Sequence, residues 1–327
     1  MKPISILSII ILVCAFISCE TEIPFNGKET KPQLTVNCLA CTDSIIKVKV
    51  TASRFFLSNE TEFKVITDAT IHLYVNGAFK ENLVSIGEGA YESNYAPTEG
   101  DVVRVEVSAT GYDATWTEET FPSAVGSFQI DTTQTNRDTI VLTRGGYGDS
   151  NLPLDTVGIS YNANIRFNVK FSDPSVQKNY YRLVVHYLSK YGGYNMENTY
   201  LSSFDDIVFG TKKDNLDGII TESSNDPYNI FSDELIDGKT HTISFNYDFN
   251  INEYTIPIDP NALTSYSITV DLQSISKSYY LYLKSLNALS SSSSFLSEQV
   301  QVYTNVNNGL GIYGTRTNQL RKYILPK

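Results

Sequence analysis

At 327 residues the chain is long enough for one large or two ordinary domains, and a 41% hydrophobic share is enough to build buried cores. Its 36 acidic against 25 basic residues give a net charge of −11, which a phosphate backbone repels, so nucleic acid is excluded as a partner. The 22 tyrosines and 16 phenylalanines fit pleated, half-buried surfaces, and the composition therefore favours an all-β fold.

The chain opens with a minimal basic region, Met1-Lys2, followed by an apolar run from Ile4 to Ile17. That run is too short to span a hydrocarbon core, which takes about 20 helical residues, so residues 1–18 read as a signal peptide. The run ends in "FISC", which resembles a bacterial lipobox with Cys19 as the lipidated residue, although Phe16 stands where leucine is usual. Cys14 is the competing cysteine, but bulky Val13 precedes it. Two or more acyl chains, a palmitoyl group among them, hold a protein stably on a membrane, at about 0.8 kcal/mol per buried CH₂. Residues 19–32, with two prolines and a glycine, read as a tether.

Residues 33–122 read as short strands with a period of two. Leu34, Val36 and Cys38 alternate with polar residues, as do Ile46, Val48 and Val50, and then Val103, Val105 and Val107. Asn76-Gly77 is a strong hairpin signal because both residues tolerate positive φ. Regular short strands with polar turns predict an immunoglobulin-like or transthyretin-like sandwich.

Residues 123–327 read as a second, β-sandwich-like domain with one short helix and long loops. Residues 131–156, rich in Asp, Thr and Gly, are expected to form a surface excursion. In "NANIRFNVKFSDP", Ala163, Ile165, Phe167, Val169 and Phe171 share a face, and "NYYRLVVHYLSKYGGYN" is expected to pair with that strand. "KTHTISFNYDF" and "SYSITVDLQSI" are further strands. Ser276 is placed to cap a helix whose apolar stripe is Tyr279, Tyr282, Leu283, Leu286 and Leu289, with the serine run 290–294 ending it.

The stretches "IFSDELIDGKTHTISF", "DLQSISKSYYLYLKSL" and "NVNNGLGIYG" resemble outer-membrane lipoproteins of Bacteroidota, as does "DATIHLYVNG…AYESNYAPTEGDVVRVEVSATGYDATWTEETFP". Those lipoproteins are built on a domain of unknown function that accompanies TonB-dependent, SusC-like receptors. The resemblance covers roughly residues 19–320 and implies a surface-exposed accessory or binding protein beside such a transporter. It supplies no catalytic residues. In such proteins the acidic residues after the lipidated cysteine, here Glu20 and Glu22, resemble an export signal to the outer face of the outer membrane.

Tests for chemistry yield no catalytic, metal-binding or cofactor-binding assignment. His72, His186 and His241 show no metal-ligand spacing. The acids Asp205-Asp206, Asp214/Asp217 and Asp233/Glu234/Asp237 are expected in loops, where a hydrolase pair cannot be read from spacing. Cys38 and Cys41 are expected at a turn, as a small-loop disulfide or as two free thiols. The segment 191–236 is expected to be long and irregular, with Tyr191, Tyr194 and Tyr200 as candidate contacts for a glycan, peptide or other nutrient, or for a partner protein. Ser44, Thr132, Thr139 and Thr156 each follow an aspartate and precede Thr, Ile or Val, which makes them candidate O-glycosylation sites. The functional expectation is a non-enzymatic surface lipoprotein, with an adhesin or structural spacer as the alternative.

Overall fold

The computed structural model describes residues 31–55, 58, 61–144, 155–175, 177–191, 194–199, 204, 206–209, 214–216, 219–221, 226–254, 265–291 and 301–324. The leader, Cys19 and most of the tether lie outside these residues.

The first lobe is the expected sandwich. Strands β1 (Leu34–Cys41), β2 (Lys47–Ala52), β6 (Ala90–Glu92) and β5 (Val84–Gly87) form one layer. The other layer has β4 (Ala78–Asn82), β3 (Thr70–Val75), β7 (Val102–Ser108) and β8 (Thr115–Thr120), in that order. The alternating residues meet between the layers: Leu34, Val36, Val48 and Val50 face Ile71, Leu73, Val103 and Val105, each nearly sealed from solvent. Asn76 and Gly77 adopt φ of 52° and 80°, and Val75 pairs with Ala78 across them, as a two-residue hairpin requires.

Asn76 does more than turn the chain. Its side-chain oxygen accepts from Val102 N–H at 2.9 Å and its amide donates to Asp101 at 2.9 Å, fastening the hairpin to β7. Asp101 also accepts from Tyr95 Oη at 2.5 Å and from the backbone and hydroxyl of Thr98 at 2.8 Å each. Burial alone would raise this carboxyl, but the donors outweigh it and hold its pKa at about 2, below the ordinary 3.8. A depressed folded pKa contributes stability that is present above the unfolded value and lost as pH falls through about 2. Asp101→Asn is therefore expected to cost about 1–2 kcal/mol at pH 7. The deficit should shrink toward zero near pH 2, as urea midpoints of both proteins at the two pH values would show.

The second lobe contains β9 (Ser127–Arg144), β10 (Asp155–Ser172), β11 (Tyr180–Tyr191), β12 (Tyr194–Thr199), β13 (Asp214–Leu216), β14 (Ile219–Thr221), β15 (Ile230–Ser232), β16 (Thr240–Tyr254), β17 (Ser265–Ile275), α1 (Lys277–Ser291) and β18 (Leu310–Ile324). A three-stranded sheet, β16-β10-β9, lies opposite β11, β17 and β18. Phe167, Phe171, Tyr181, Phe231 and Leu272 are among the side chains sealed between these layers.

Several expectations change here. Residues 131–144 and 155–156 are not a surface excursion: β9 pairs with β10 from Ser127↔Ser172 to Asp155↔Arg144, with a bulge near Asn164, and the rest of the predicted excursion, 145–154, lies outside the described residues. A paired strand can be polar on both faces, because its ladder bonds do not depend on what its side chains cover. β11 does not pair with β10; it pairs with β17, β12 and β15, and meets β10 across the core, Phe171 and Tyr181 lying 5.7 Å apart. The 191–236 segment is likewise not simply irregular, since β12, β13, β14 and β15 fall within it.

Ser276 caps α1 as expected, its Oγ accepting from Tyr279 N–H at 3.3 Å. The buried surface is wider than the predicted stripe. Tyr280, Lys284 and Asn287 are buried with Tyr279 and Leu283, whereas Leu289 is 47% exposed. The helix is covered on more than one side, packing against β11, β14, β15 and β18.

The arrangement that unites the molecule comes from the two ends of the chain. β18 lies between β17 and β1, antiparallel to the first and parallel to the second, within a nine-stranded sheet ordered β12-β11-β17-β18-β1-β2-β6-β5, with β15 joined to β11. Side chains pass from one core to the other between Phe121 and Val125, but the sheet makes no such break. The linker is also bonded to β18: Thr315, Thr317 and Gln319 donate to the carbonyls of Thr120, Pro122 and Val125 at 2.6, 2.6 and 3.2 Å.

Candidate functional site

Beside β18 the second sandwich opens into a cleft of about 540 Å³. Phe167 of β10 and Val270 of β17, exposed by 0% and 1%, form its floor. β9 supplies one wall with Phe128, Ile130, Asp131 and Thr132, and β18 supplies the other with Arg321, Lys322 and Tyr323. Tyr323 stands edge-on to Phe167, with ring centroids 5.7 Å apart. The Arg321 guanidinium lies 5.4 Å from the Phe128 ring centroid, a cation–π arrangement that holds a positive charge at the rim. Flat aromatic surface, an apolar floor and the Arg321 cation suit the holding of an amphipathic or anionic ligand.

Other polar groups gather elsewhere. Asp173, Asp233 and Asp237 bring carboxylate oxygens within 4.8 Å of one another, the first two buried. These are the hard oxygen donors that a divalent cation takes. Protein donors already engage the buried pair: Tyr181 Oη and Gly238 N–H bond Asp173, and Asn179 N–H bonds Asp233 at 2.6 Å. Burial raises the Asp233 carboxyl, the Asn179 bond draws it back, and the charges of Asp173 and Asp237 push it up again. His241 Nε2 lies 2.8 Å from Asp206 Oδ1, and the same oxygen accepts from Val208 N–H at 3.1 Å, so this pair fastens the 206–209 turn to β16. His72 contacts Asn82 on the exposed side of β3.

A further polar group sits on the sheet face turned away from the cleft. Gln273 Nε2 donates to Asp271 at 2.6 Å, and Gln273 pairs in register with Asn318 on β18. Burial raises the Asp271 carboxyl, while the Gln273 bond and the Arg316 and His186 charges lower it.

Cys38 and Cys41 are free thiols and not a disulfide. Both lie within β1 and not at a turn, and residues three apart in an extended strand point to opposite faces, beyond disulfide reach. Burial pushes both thiols up, which makes them poor nucleophiles. Ser44 is exposed in the turn after β1, Thr132 lines the cleft, and Thr139 and Thr156 lie on β9 and β10. Tyr191 and Tyr194 pair across the β11–β12 hairpin, and Tyr200 lies outside the described residues. The cleft itself was missed by sequence reasoning. Phe128, Phe167 and Tyr323 are visible as strand aromatics, but nothing local brings β9 to β18.

The comparison with known families is decided by its length, for the description "domain of unknown function (DUF4249)" matches residues 20–320. The chain belongs to the DUF4249 family. That match takes in both lobes and β18 as far as Leu320, so the shared sheet lies largely within the DUF4249 region. Among curated proteins, none matches the chain.

Proposed function

We propose that this DUF4249 protein is a non-enzymatic lipoprotein, anchored through Cys19 to the outer membrane and facing the cell exterior. It binds a ligand there, or serves a SusC-like TonB-dependent transporter as an accessory partner. The observation that supports the binding role is the cleft, with its aromatic walls, apolar floor and the Arg321 cation at its rim. "FISC" followed by Glu20 and Glu22 supports the anchor and its placement. The spacer alternative draws on the sheet shared by the two lobes, which would stiffen a rod held off the membrane.

The test is co-purification from detergent-solubilised outer membrane, paired with fatty-acid labelling of the parent and of Cys19→Ala. The expected result is a large β-barrel protein recovered with the parent, label on the parent, and neither label nor membrane association in the variant. Loss of the barrel under conditions that retain other receptor–lipoprotein pairs would remove the transporter role. An unlabelled parent would remove the anchor.

A further inference from the structure

Among the described residues, the distal half of β18 is an open edge. Its parallel pairing with β1 ends at Cys41↔Arg316, followed by a bond from Thr42 N–H to the Arg316 carbonyl at 3.2 Å. Its antiparallel pairing with β17 continues without a register shift to Ser267↔Ile324. Peptide groups alternate sides along a strand. With Arg316 directed at β1, those of Asn318, Leu320, Lys322 and Ile324 point away from β17, into the space where β1 is no longer present. Among the described residues no strand pairs with them, and the Leu320 carbonyl is met by Arg321 Nη1 at 2.9 Å. Leu320 and Ile324 are 46% and 69% exposed. A long edge of this kind is what an additional strand joins, unless charge or a covering segment blocks it.

The cleft borders this edge, since Arg321, Lys322 and Tyr323 belong to both. A strand laid on β18 would continue the line that β1 leaves at Cys41. Its alternate side chains would drop beside Arg321 toward the floor of Phe167 and Val270. The charge at this place opposes that of the whole molecule: Arg321, paired with the core-facing Val270, turns its cation to the cleft, and Lys322 puts a second on the other face of the strand, in a chain of net −11.

We propose that the open edge of β18 and the adjoining cleft bind an extended, acidic peptide segment as an added strand. This names the ligand class for the binding reading above and rests on it. Backbone bonds to the outward groups of residues 318–324 hold the peptide, and the cleft selects alternate side chains. Arg321 favours carboxylates among them, and Lys322 favours carboxylates among the side chains on the other face of the added strand.

The experiment immobilises the full-length protein in detergent, challenges it with a tryptic digest of bovine serum albumin, and identifies retained peptides by mass spectrometry. Amide exchange is followed with and without the retained pool. Retention should favour acidic peptides. The Asn318, Leu320 and Lys322 amides should exchange fast in the free protein and at least tenfold slower with peptide, while those of residues 317, 319 and 321 stay slow in both. Lys322→Pro removes one outward N–H without touching the β17 ladder, a place where an edge strand tolerates proline. It should cut retention at least tenfold; should it fail to fold, the exchange pattern of the parent decides.

Three results overturn the inference: no peptide retained, retention unchanged in a folded Lys322→Pro variant, or edge amides already slow in a free protein whose mass is that of a dimer. The last would make a second copy the occupant. A protein that holds no peptide yet recovers its barrel leaves the reading above intact. One that holds peptides through this edge but recovers no barrel removes the transporter role alone.

Discussion

Ending the chain at Gly309 is expected to abolish cooperative folding of the whole molecule, including the first lobe, whose other strands all precede residue 121. The reason is the place of β18 in the sheet. It is paired on one side with β17 and on the other with β1, so its removal leaves two interior strands with unpaired ladders. It also takes Ile312 and Tyr313 from the interior, Tyr313 belonging to the first core. Burying two large apolar side chains is worth about 3–6 kcal/mol, against a typical total stability of about 5–15 kcal/mol. The loss of two ladders comes on top of that. Near-ultraviolet circular dichroism and a thermal melt of the truncated protein would show no cooperative transition. A first lobe that melted independently in the truncated chain would mean that β18 is an accessory to it and not a member.

That dependence explains which parts of the fold could be read in advance. The alternation of Val103, Val105 and Val107 is a local pattern with one buried face, and it fell where the period of two placed it. Asn76-Gly77 and Ser276 were legible because a turn and a helix cap each depend on a few neighbouring residues. Pairing between distant strands has no such signature. Residues 310–316 could lie beside any strand with a compatible face, and nothing near them in sequence specifies β1 as the parallel neighbour. The same gap hid the cleft, since Phe128 and Arg321 are brought together by the pairing of β18 with β17 and by the bonds of Thr315, Thr317 and Gln319 to the linker, contacts between residues far apart in sequence. The expected partnership of β10 with β11 failed for a related reason. Consecutive strands in a sandwich often cross from one sheet to the other, and the two then meet through side chains, not through backbone bonds. Cys38 and Cys41 were misplaced because β1 runs through both, a length that the polar residues after Cys41 did not reveal.

Gly311→Ala is expected to be the most damaging single substitution, at about 3–5 kcal/mol. Gly311 adopts φ +107°, and a Cβ there would stand 2.1 Å from the Val36 carbonyl oxygen and 2.7 Å from its carbon. Both are backbone atoms of the strand paired beside it, so no side-chain rotation relieves the overlap; β1 and β18 would have to separate. Gly77 is the internal comparison. Its φ is +80°, so alanine there meets a similar torsional penalty, but nothing lies within 4 Å of the added carbon. Gly77→Ala should therefore cost only about 1 kcal/mol. Urea denaturation of the two variants isolates the steric part, because the conformational part is common to both. The Gly311 variant should also expose the two thiols of β1 to alkylation faster than the Gly77 variant, since Cys38 and Cys41 are buried within the strand that must move. Equal losses of stability and equal thiol reactivity would mean that the first and last strands do not make this close approach, and the union of the two lobes through one sheet would fall with it.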